Sequence, residues 1–151
     1  MYRCGRGQLH NGVVPSPCPE CRATYADGDS CQNRFDRALA LEFTDPAFGA
    51  VHHLTVTAFM LQHDRYSHQG FGIARSLLER FVSGELIPER ARRVPVPETS
   101  ITRGPRFDRF AEIEWTRTIA DVSFDDADTY RSDVEGWARA AVADTRAVTA
   151  A

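Results

Sequence analysis

Apolar residues recur at helical spacing in several stretches of the chain, and each stretch begins near a good capping residue. The first predicted helix starts near Cys31, where Asp29 or Ser30 can accept hydrogen bonds from the free amides of the first turn. Its predicted apolar face repeats every four residues, at Phe35, Leu39 and Phe43. This stretch therefore predicts an amphipathic helix that ends at Thr44-Asp45-Pro46.

Two further helices follow at once. Asp45 is a good N-cap and Pro46 a good first helical residue, so the second predicted helix runs from about Pro46 to His63. The third runs from about Gly70 to Ser83, and Gly84 is placed to end it. The predicted inward positions of the third helix are Phe71, Ala74, Leu78 and Phe81.

The C-terminal third is less regular. Ile113, Trp115 and Ile119 fall on alternate positions, which favours a short strand or an extended segment near 111–120 over a helix. Asp125 or Asp126 then caps a last helix, and the tail after about Asp144 is expected to fray. The apolar stripe of that helix comprises Tyr130, Val134, Trp137 and Ala141. The predicted fold is mainly α, with about four helices.

A chain of 151 residues is most simply one domain. We expect a metal-stabilised N-terminal segment over 1–30, a helical hairpin and third helix over 31–84, and a Pro/Arg-rich connector over 85–110. An extended segment with the C-terminal helix occupies 111–144, and 145–151 form a tail. Residues 1 to about 28 are rich in Gly and Pro, and a bound metal would offset the chain entropy that ordering them costs.

Composition narrows the classes of partner. Hydrophobic residues make up 42% and charged residues 26%, which is typical of globular proteins, and the net charge of -3 does not favour nucleic acid. No stretch approaches the ~20 apolar residues of a membrane helix. The N-terminus lacks the apolar core of a signal peptide, so a cytoplasmic location with reduced thiols is expected. All 18 basic residues are arginine, a bias that indicates a GC-rich bacterial genome.

Three cysteines carry the strongest chemical signal. Cys18-Pro19-Glu20-Cys21 supplies two sulfurs from one turn, and Cys31 lies at a helix start, where the dipole favours the thiolate form. Such ligands suit zinc best. Two other interpretations stay open: thiols that bind nothing, and a redox-active C-x-x-C pair, although no βαβ pattern surrounds the motif.

The fourth ligand is less determined by the sequence. Cys4, His52, His63 and His68 are all available. His52 and His63 share one helix face but lie about 16 Å apart along the axis, so one ion cannot bind both. If the first two helices are antiparallel, Cys31 lies beside the end of the second helix, which favours His63. Each histidine could instead be a polar residue hydrogen-bonded at a helix end.

A catalytic zinc would need three protein ligands and an open position for water. Cys18, Cys21 and Cys31 satisfy that number, with Glu20, Asp64 or His68 as a base. Three thiolates would, however, make the metal a poor Lewis acid. The chain has no H-E-x-x-H, G-x-S-x-G or phosphate-binding glycine motif, so no reaction is indicated.

Several ordered motifs resemble the bacterial domain of unknown function family 5946. They are CPxC with a third cysteine, then DPAF, VHxLTVxAFxxQH and TIADV, spread over about residues 18 to 142. The resemblance implies a small bacterial protein whose cysteines and helix histidines form a metal site, and it implies no established activity. Two departures stand out: Thr57 occupies a position where the family carries Asp, and the terminal helix lacks a histidine pair.

Two functions from different classes follow. The first is a zinc-binding protein with a structural metal that acts through a surface or a partner. The second is a small zinc-dependent metalloenzyme with a three-ligand site and an activated water. The partner would be a protein or a small molecule, with no nucleic acid or membrane expected, and the apolar helix stripes are also compatible with a homodimer.

Overall fold

The computed structural model describes residues 16–86 and 113–149, with side chains up to Arg146. These residues form five α-helices, numbered α1 to α5 in chain order, and the mainly helical fold predicted from the sequence is confirmed. The helices are α1 Cys31–Thr44, α2 Pro46–Gly49, α3 His52–Gln62, α4 His68–Val82 and α5 Ala127–Thr149. Most of the predicted connector over 85–110 lies outside the described residues. Within those residues, no helix is both long enough and apolar enough to cross a bilayer.

Helix α1 begins as predicted, but its buried face differs from the prediction. The Ser30 hydroxyl accepts a hydrogen bond from the Asn33 amide and caps the helix. Phe43 is 82% exposed, whereas Glu42 is buried. The predicted face through Phe43 is therefore wrong. The buried side of α1 carries instead the residues Cys31, Ala38 and Glu42.

The second predicted helix is divided into α2 and α3. Asp45 caps α2 through a hydrogen bond from the Ala47 amide to its carboxylate, and Pro46 is the first helical residue, as expected. A turn at 50–51 then separates α2 from α3. The short α2 lies against the end of α1, and Phe48 packs on the ring of Tyr130 in α5 at a centroid distance of 5.0 Å.

Gly49 allows this close approach of α2 to α1. A β-carbon at Gly49 would lie 2.7 Å from the backbone oxygen of Glu42. We expect Gly49→Ala to lower the free energy of unfolding by about 1–3 kcal/mol, the usual cost of overpacking. Gly72→Ala is the matched control: that exposed position in α4 has no atom within 4 Å of the added carbon, so helix propensity predicts a gain of up to about 1 kcal/mol. Urea unfolding measures both changes, and equal stability of the two variants would contradict the close packing.

Helix α4 matches its prediction closely. The Ser67 hydroxyl accepts a hydrogen bond from the Gly70 amide, and Gly84 follows the helix with a φ of 81°. A positive φ of this size is a conformation that glycine adopts without strain. All four predicted inward residues are buried: Phe71, Ala74, Leu78 and Phe81.

Two alternatives were predicted near 111–120, a short strand or an extended segment. The strand is not found among the described residues of this stretch, since no residue from 113 to 120 belongs to one. Side chains satisfy this backbone instead of a neighbouring strand: Asp144 accepts a hydrogen bond from the Thr116 amide at 2.8 Å, and Gln62 donates to the Arg117 carbonyl at 2.6 Å. A 3-10 turn, Ile119–Asp121, follows and is held by a capping box between Thr118 and Asp121.

Helix α5 supplies the centre of the core. Asp126 caps it by accepting hydrogen bonds from the amide and hydroxyl of Thr129. The predicted stripe is confirmed, since none of its members is exposed: Tyr130, Val134, Trp137 and Ala141. The helix continues to Thr149, and Thr145 is fully buried. The expectation of a frayed tail immediately after Asp144 is therefore wrong for this stretch.

Candidate metal centre

Four side chains converge at the N-terminal end of α1. The donor atoms of Cys18, Cys21, Cys31 and His63 all lie within 4.8 Å of one another. Cys31 is the first residue of α1, and His63 is the residue at which α3 ends. The structure thus brings together the three predicted cysteines and the histidine that the antiparallel arrangement favoured. Their role as metal ligands stays a prediction.

A tight turn places the first two sulfurs. The Cys18 amide donates to the Ala23 carbonyl at 2.9 Å, and the Arg22 amide donates to the Cys18 carbonyl at 2.8 Å. Arg22 completes the turn with a φ of 64°, in the left-handed region. These two backbone bonds close a loop around Cys18-Pro19-Glu20-Cys21, so that the turn itself fixes where both thiols lie.

Cys31 has the most polar surroundings of the three thiols. Its sulfur lies 3.4 Å from the sulfur of Cys21 and 3.1 Å from the hydroxyl of Tyr25. The contact with the Cys21 thiol, followed by those with the His63 imidazole and the Tyr25 hydroxyl, lowers the pKa of Cys31 to about 4. The same contact with Cys31, together with burial, raises the pKa of Cys21. Of these two thiols, Cys31 is therefore the one that is more readily deprotonated.

Burial raises the pKa of the Tyr25 hydroxyl, which therefore stays protonated and can donate a hydrogen bond to the Cys31 sulfur. Tyr25 was not among the residues predicted for the site. It lies in a stretch without apolar periodicity, and only its closeness to Cys21 along the chain could have drawn attention to it.

His63 is oriented for ligation. Its Nδ1 donates a hydrogen bond to the backbone carbonyl of Phe59 at 2.7 Å, so Nε2 carries the lone pair of the neutral ring. Nε2 is buried and has no hydrogen-bond partner among the described residues. Metal-ligating histidines commonly donate the other ring N–H to a carbonyl in this way. The Phe59 ring also stacks on the imidazole, with centroids 4.0 Å apart and planes 21° apart.

The other candidate ligands are not part of this cluster. Cys4 lies outside the described residues. His68 is exposed at the start of α4, and His52 donates through Nδ1 to the carboxylate of Glu42 at 2.7 Å. Among the described residues, only the side chains of Cys18, Cys21, Cys31 and His63 lie close enough together to share a metal ion, and neither His52 nor His68 belongs to this group.

A cavity of about 370 Å³ lies against the cluster. Cys18, Cys31 and His63 form part of its wall, whereas Cys21 is not among its lining residues. Two of the predicted bases lie near the cluster. Glu20 lines the cavity and forms an ion pair with Arg65 at 3.4 Å. Asp64 follows His63 directly and has a φ of 50°. The cavity therefore borders three of the four cluster residues on one side, while the Nε2 atom of His63 itself is buried.

A second polar cluster lies at the other end of α1. The buried carboxylate of Glu42 accepts hydrogen bonds from the hydroxyls of Thr55 and Tyr130, each at 2.5 Å, in addition to that from His52. Burial and the bond to Glu42 raise the pKa of Tyr130, so its hydroxyl remains a donor. Sequence periodicity gave no sign of this cluster, because Glu42 does not belong to the predicted apolar face through Phe35, Leu39 and Phe43.

The fold and the cluster together define a helical protein whose Cys3His group is compatible with binding a metal ion. The profile of the Family of unknown function (DUF5946) matches residues 16–146, a range that includes all four cluster residues. The chain belongs to this family, as its sequence motifs indicated. No curated protein and no solved structure matches the chain.

Proposed function

We propose that the protein binds one zinc ion through Cys18, Cys21, Cys31 and His63, and that this metal has a structural role. The observation that carries the proposal is the state of His63: a buried Nε2 without a hydrogen-bond partner lies beside three thiols, while Nδ1 is fixed by the Phe59 carbonyl. Buried polar atoms are rarely left unpaired, and a bound ion accounts for this one. Three sulfurs and one imidazole nitrogen form a common structural zinc set.

The surroundings of the four donors support a structural role. Residues 16–30 form no helix, and their described backbone bonds are short-range turns. A metal held by this segment, by the first residue of α1 and by the end of α3 would join three separate parts of the chain. Structural zinc contributes about 10–16 kcal/mol of binding free energy in small domains. That is comparable to the whole stability of a typical domain, about 5–15 kcal/mol.

Elemental analysis of the untagged protein tests this proposal, followed by thermal unfolding with and without a chelator. We expect about one zinc per chain and a clear fall in melting temperature when zinc is removed, because the N-terminal turn loses its anchor. Protein that neither contains zinc nor takes it up from solution would contradict the proposal. Zinc that leaves without any change in melting temperature would contradict the structural role.

The cavity against Cys18, Cys31 and His63 favours a second candidate, a small zinc-dependent metalloenzyme. In that case three protein donors would remain bound and water would take the fourth position, with Glu20, Asp64 or His68 as base. Cobalt substitution separates the two candidates: azide should change the visible spectrum of an open site and leave a closed four-ligand site unchanged.

We further propose that the protein works in the bacterial cytoplasm through its surface, with a protein or a small molecule as partner. The net charge of -3 and the reduced thiols that metal binding requires support this proposal. Neither nucleic acid nor a membrane is expected as partner, and a homodimer remains compatible with the sequence. Sedimentation of the zinc-loaded chain tests for a dimer.

A further inference from the structure

The four residues of the Cys3His cluster differ in whether they line the cavity and in how exposed they are. Cys18 is half-buried and forms part of the cavity wall, whereas Cys21 is only 2% exposed and lies outside the lining. Cys31 also reaches the wall, but its sulfur already contacts the Tyr25 hydroxyl and the Cys21 sulfur. Cys18 is therefore the most exposed of the three cysteines, and the other two sulfurs lie within 4.8 Å of its own.

We infer that this cluster reacts with small hydroperoxides that enter the cavity, and that Cys18 is the attacking thiolate. The inference rests on the proposed zinc site, since a metal ligand is held as the thiolate, which is the nucleophilic form of cysteine. A cavity of about 370 Å³ is within the size range of small-molecule sites and has room for an alkyl hydroperoxide.

The reaction consumes one hydroperoxide and two thiolates. The Cys18 sulfur attacks the terminal peroxide oxygen, the O–O bond breaks, and the alkoxide leaves as an alcohol after taking a proton from solvent. The Cys18 sulfenic acid is then attacked by the sulfur of Cys21 or Cys31, which forms a disulfide and releases hydroxide that is protonated to water. Two sulfurs are oxidised by two electrons in total, and the hydroperoxide is reduced to alcohol and water. Two metal ligands are lost, so zinc is released.

The neighbouring sulfurs favour a hydroperoxide over an alkylating electrophile. Alkylation would consume a single thiolate and make no use of the others. Oxidation by two electrons uses a second thiol, and here two are within 4.8 Å of Cys18. A hydrogen bond from Tyr25 lowers the electron density on the Cys31 sulfur, which leaves Cys18 the better nucleophile on the cavity wall.

Two exposed neighbours on α1 provide a matched pair of variants. Gln32 lines the cavity, and its amide reaches only Asp36 on the exposed side of α1. Gln32→Trp should narrow the cavity without changing any of the four cluster residues. Asn33 is exposed one residue further along and is not among the lining residues, so Asn33→Trp adds the same bulk outside the cavity.

The experiment uses the full zinc-loaded chain, whose zinc content is measured first, and follows zinc release with a chromogenic chelator after addition of tert-butyl hydroperoxide. We expect one zinc released per hydroperoxide consumed and a disulfide that includes Cys18, identified by peptide mass mapping. Gln32→Trp should slow release about tenfold, a barrier change of about 1.4 kcal/mol, and Asn33→Trp should not.

Chains that keep zinc and reduced thiols in excess hydroperoxide would overturn the inference. So would equal release rates for the two tryptophan variants, or a disulfide that never contains Cys18. Absence of zinc before the oxidant is added would instead be a failure of the proposed function, so the two failures are distinguishable.

Discussion

Cys21→Ser is expected to abolish tight zinc binding and to lower the melting temperature by about 10 °C or more. Cys21 is only 2% exposed, and serine would replace its thiolate with a hydroxyl that is a much poorer zinc ligand. For a chain of this length about 1 kcal/mol corresponds to about 2–4 °C, and loss of a structural metal site costs several kcal/mol. Zinc titration by competition with a chelator and thermal unfolding measure the two effects.

Cys4→Ser is the matched control for this substitution, because it makes the same chemical change at the fourth cysteine. If His63 completes the cluster, Cys4→Ser should leave zinc affinity unchanged, and His63→Ala should reduce it as strongly as Cys21→Ser does. A loss of affinity in Cys4→Ser with retention in His63→Ala would make Cys4 the fourth ligand and contradict the assignment of His63.

Glu42→Ala is expected to destabilise the fold by about 3–5 kcal/mol while leaving zinc affinity unchanged. Its carboxylate accepts hydrogen bonds from His52, Thr55 and Tyr130, and the two hydroxyls are fully buried. Alanine would remove the acceptor that these donors share. The Thr55 hydroxyl would keep only the Val51 carbonyl at 3.2 Å, and the Tyr130 hydroxyl only the Thr55 oxygen at 3.4 Å. Weakly satisfied buried groups cost about 1–3 kcal/mol each, and truncation of the side chain adds a cavity. The stability change is measured by urea unfolding of the zinc-loaded protein.

Glu42→Gln is the matched control, since it keeps the size of the side chain and one carbonyl acceptor for the two hydroxyls. We expect it to lose less than half as much stability as Glu42→Ala. Cys31 and Glu42 lie eleven residues apart on α1, about 16 Å along its axis, so neither variant should affect the metal centre. Equal losses in both variants, or lost zinc affinity, would show that the network does not act as described.

The helix boundaries could be predicted where local chemistry determines them. Ser30, Asp45 and Asp126 were all among the predicted caps, because capping depends on residues within one turn. The division between α2 and α3 could not be predicted. It accompanies the contact of Gly49 with the Glu42 carbonyl, which depends on how two helices pack. Continuous helical spacing through 46–63 contains no sign of that contact.

The face of α1 was mispredicted for a similar reason. Hydrophobic periodicity places Phe43 inside and Glu42 outside, and the structure has the reverse. Glu42 is buried because Thr55 on α3 and Tyr130 on α5 supply donors from distant parts of the chain. A pattern of single residues cannot reveal that a buried carboxylate will find such partners.

The cluster was more predictable than its surroundings. The C-x-x-C turn, a cysteine at a helix start and an antiparallel neighbour favoured His63 over the other candidates, because helix geometry determines which ends meet, and His63 does lie in the cluster. The hydrogen bond from Tyr25 and the adjoining cavity depend on how residues 16–30 fold against α1 and α3. No spacing rule describes that irregular segment.

The side-chain amide of Gln62 connects the N-terminal and C-terminal parts of the described chain. It donates to the Arg117 carbonyl and accepts from the Trp137 indole at 2.9 Å, and it immediately precedes His63. Helix α5 contributes no side chain to the Cys3His cluster. The Gln62 amide nevertheless links this helix to His63, the next residue along the chain. The N-terminal and C-terminal parts of the described chain are thus interdependent. A fragment that ends before residue 113 would keep all four cluster residues but lose both hydrogen-bond partners of the Gln62 amide.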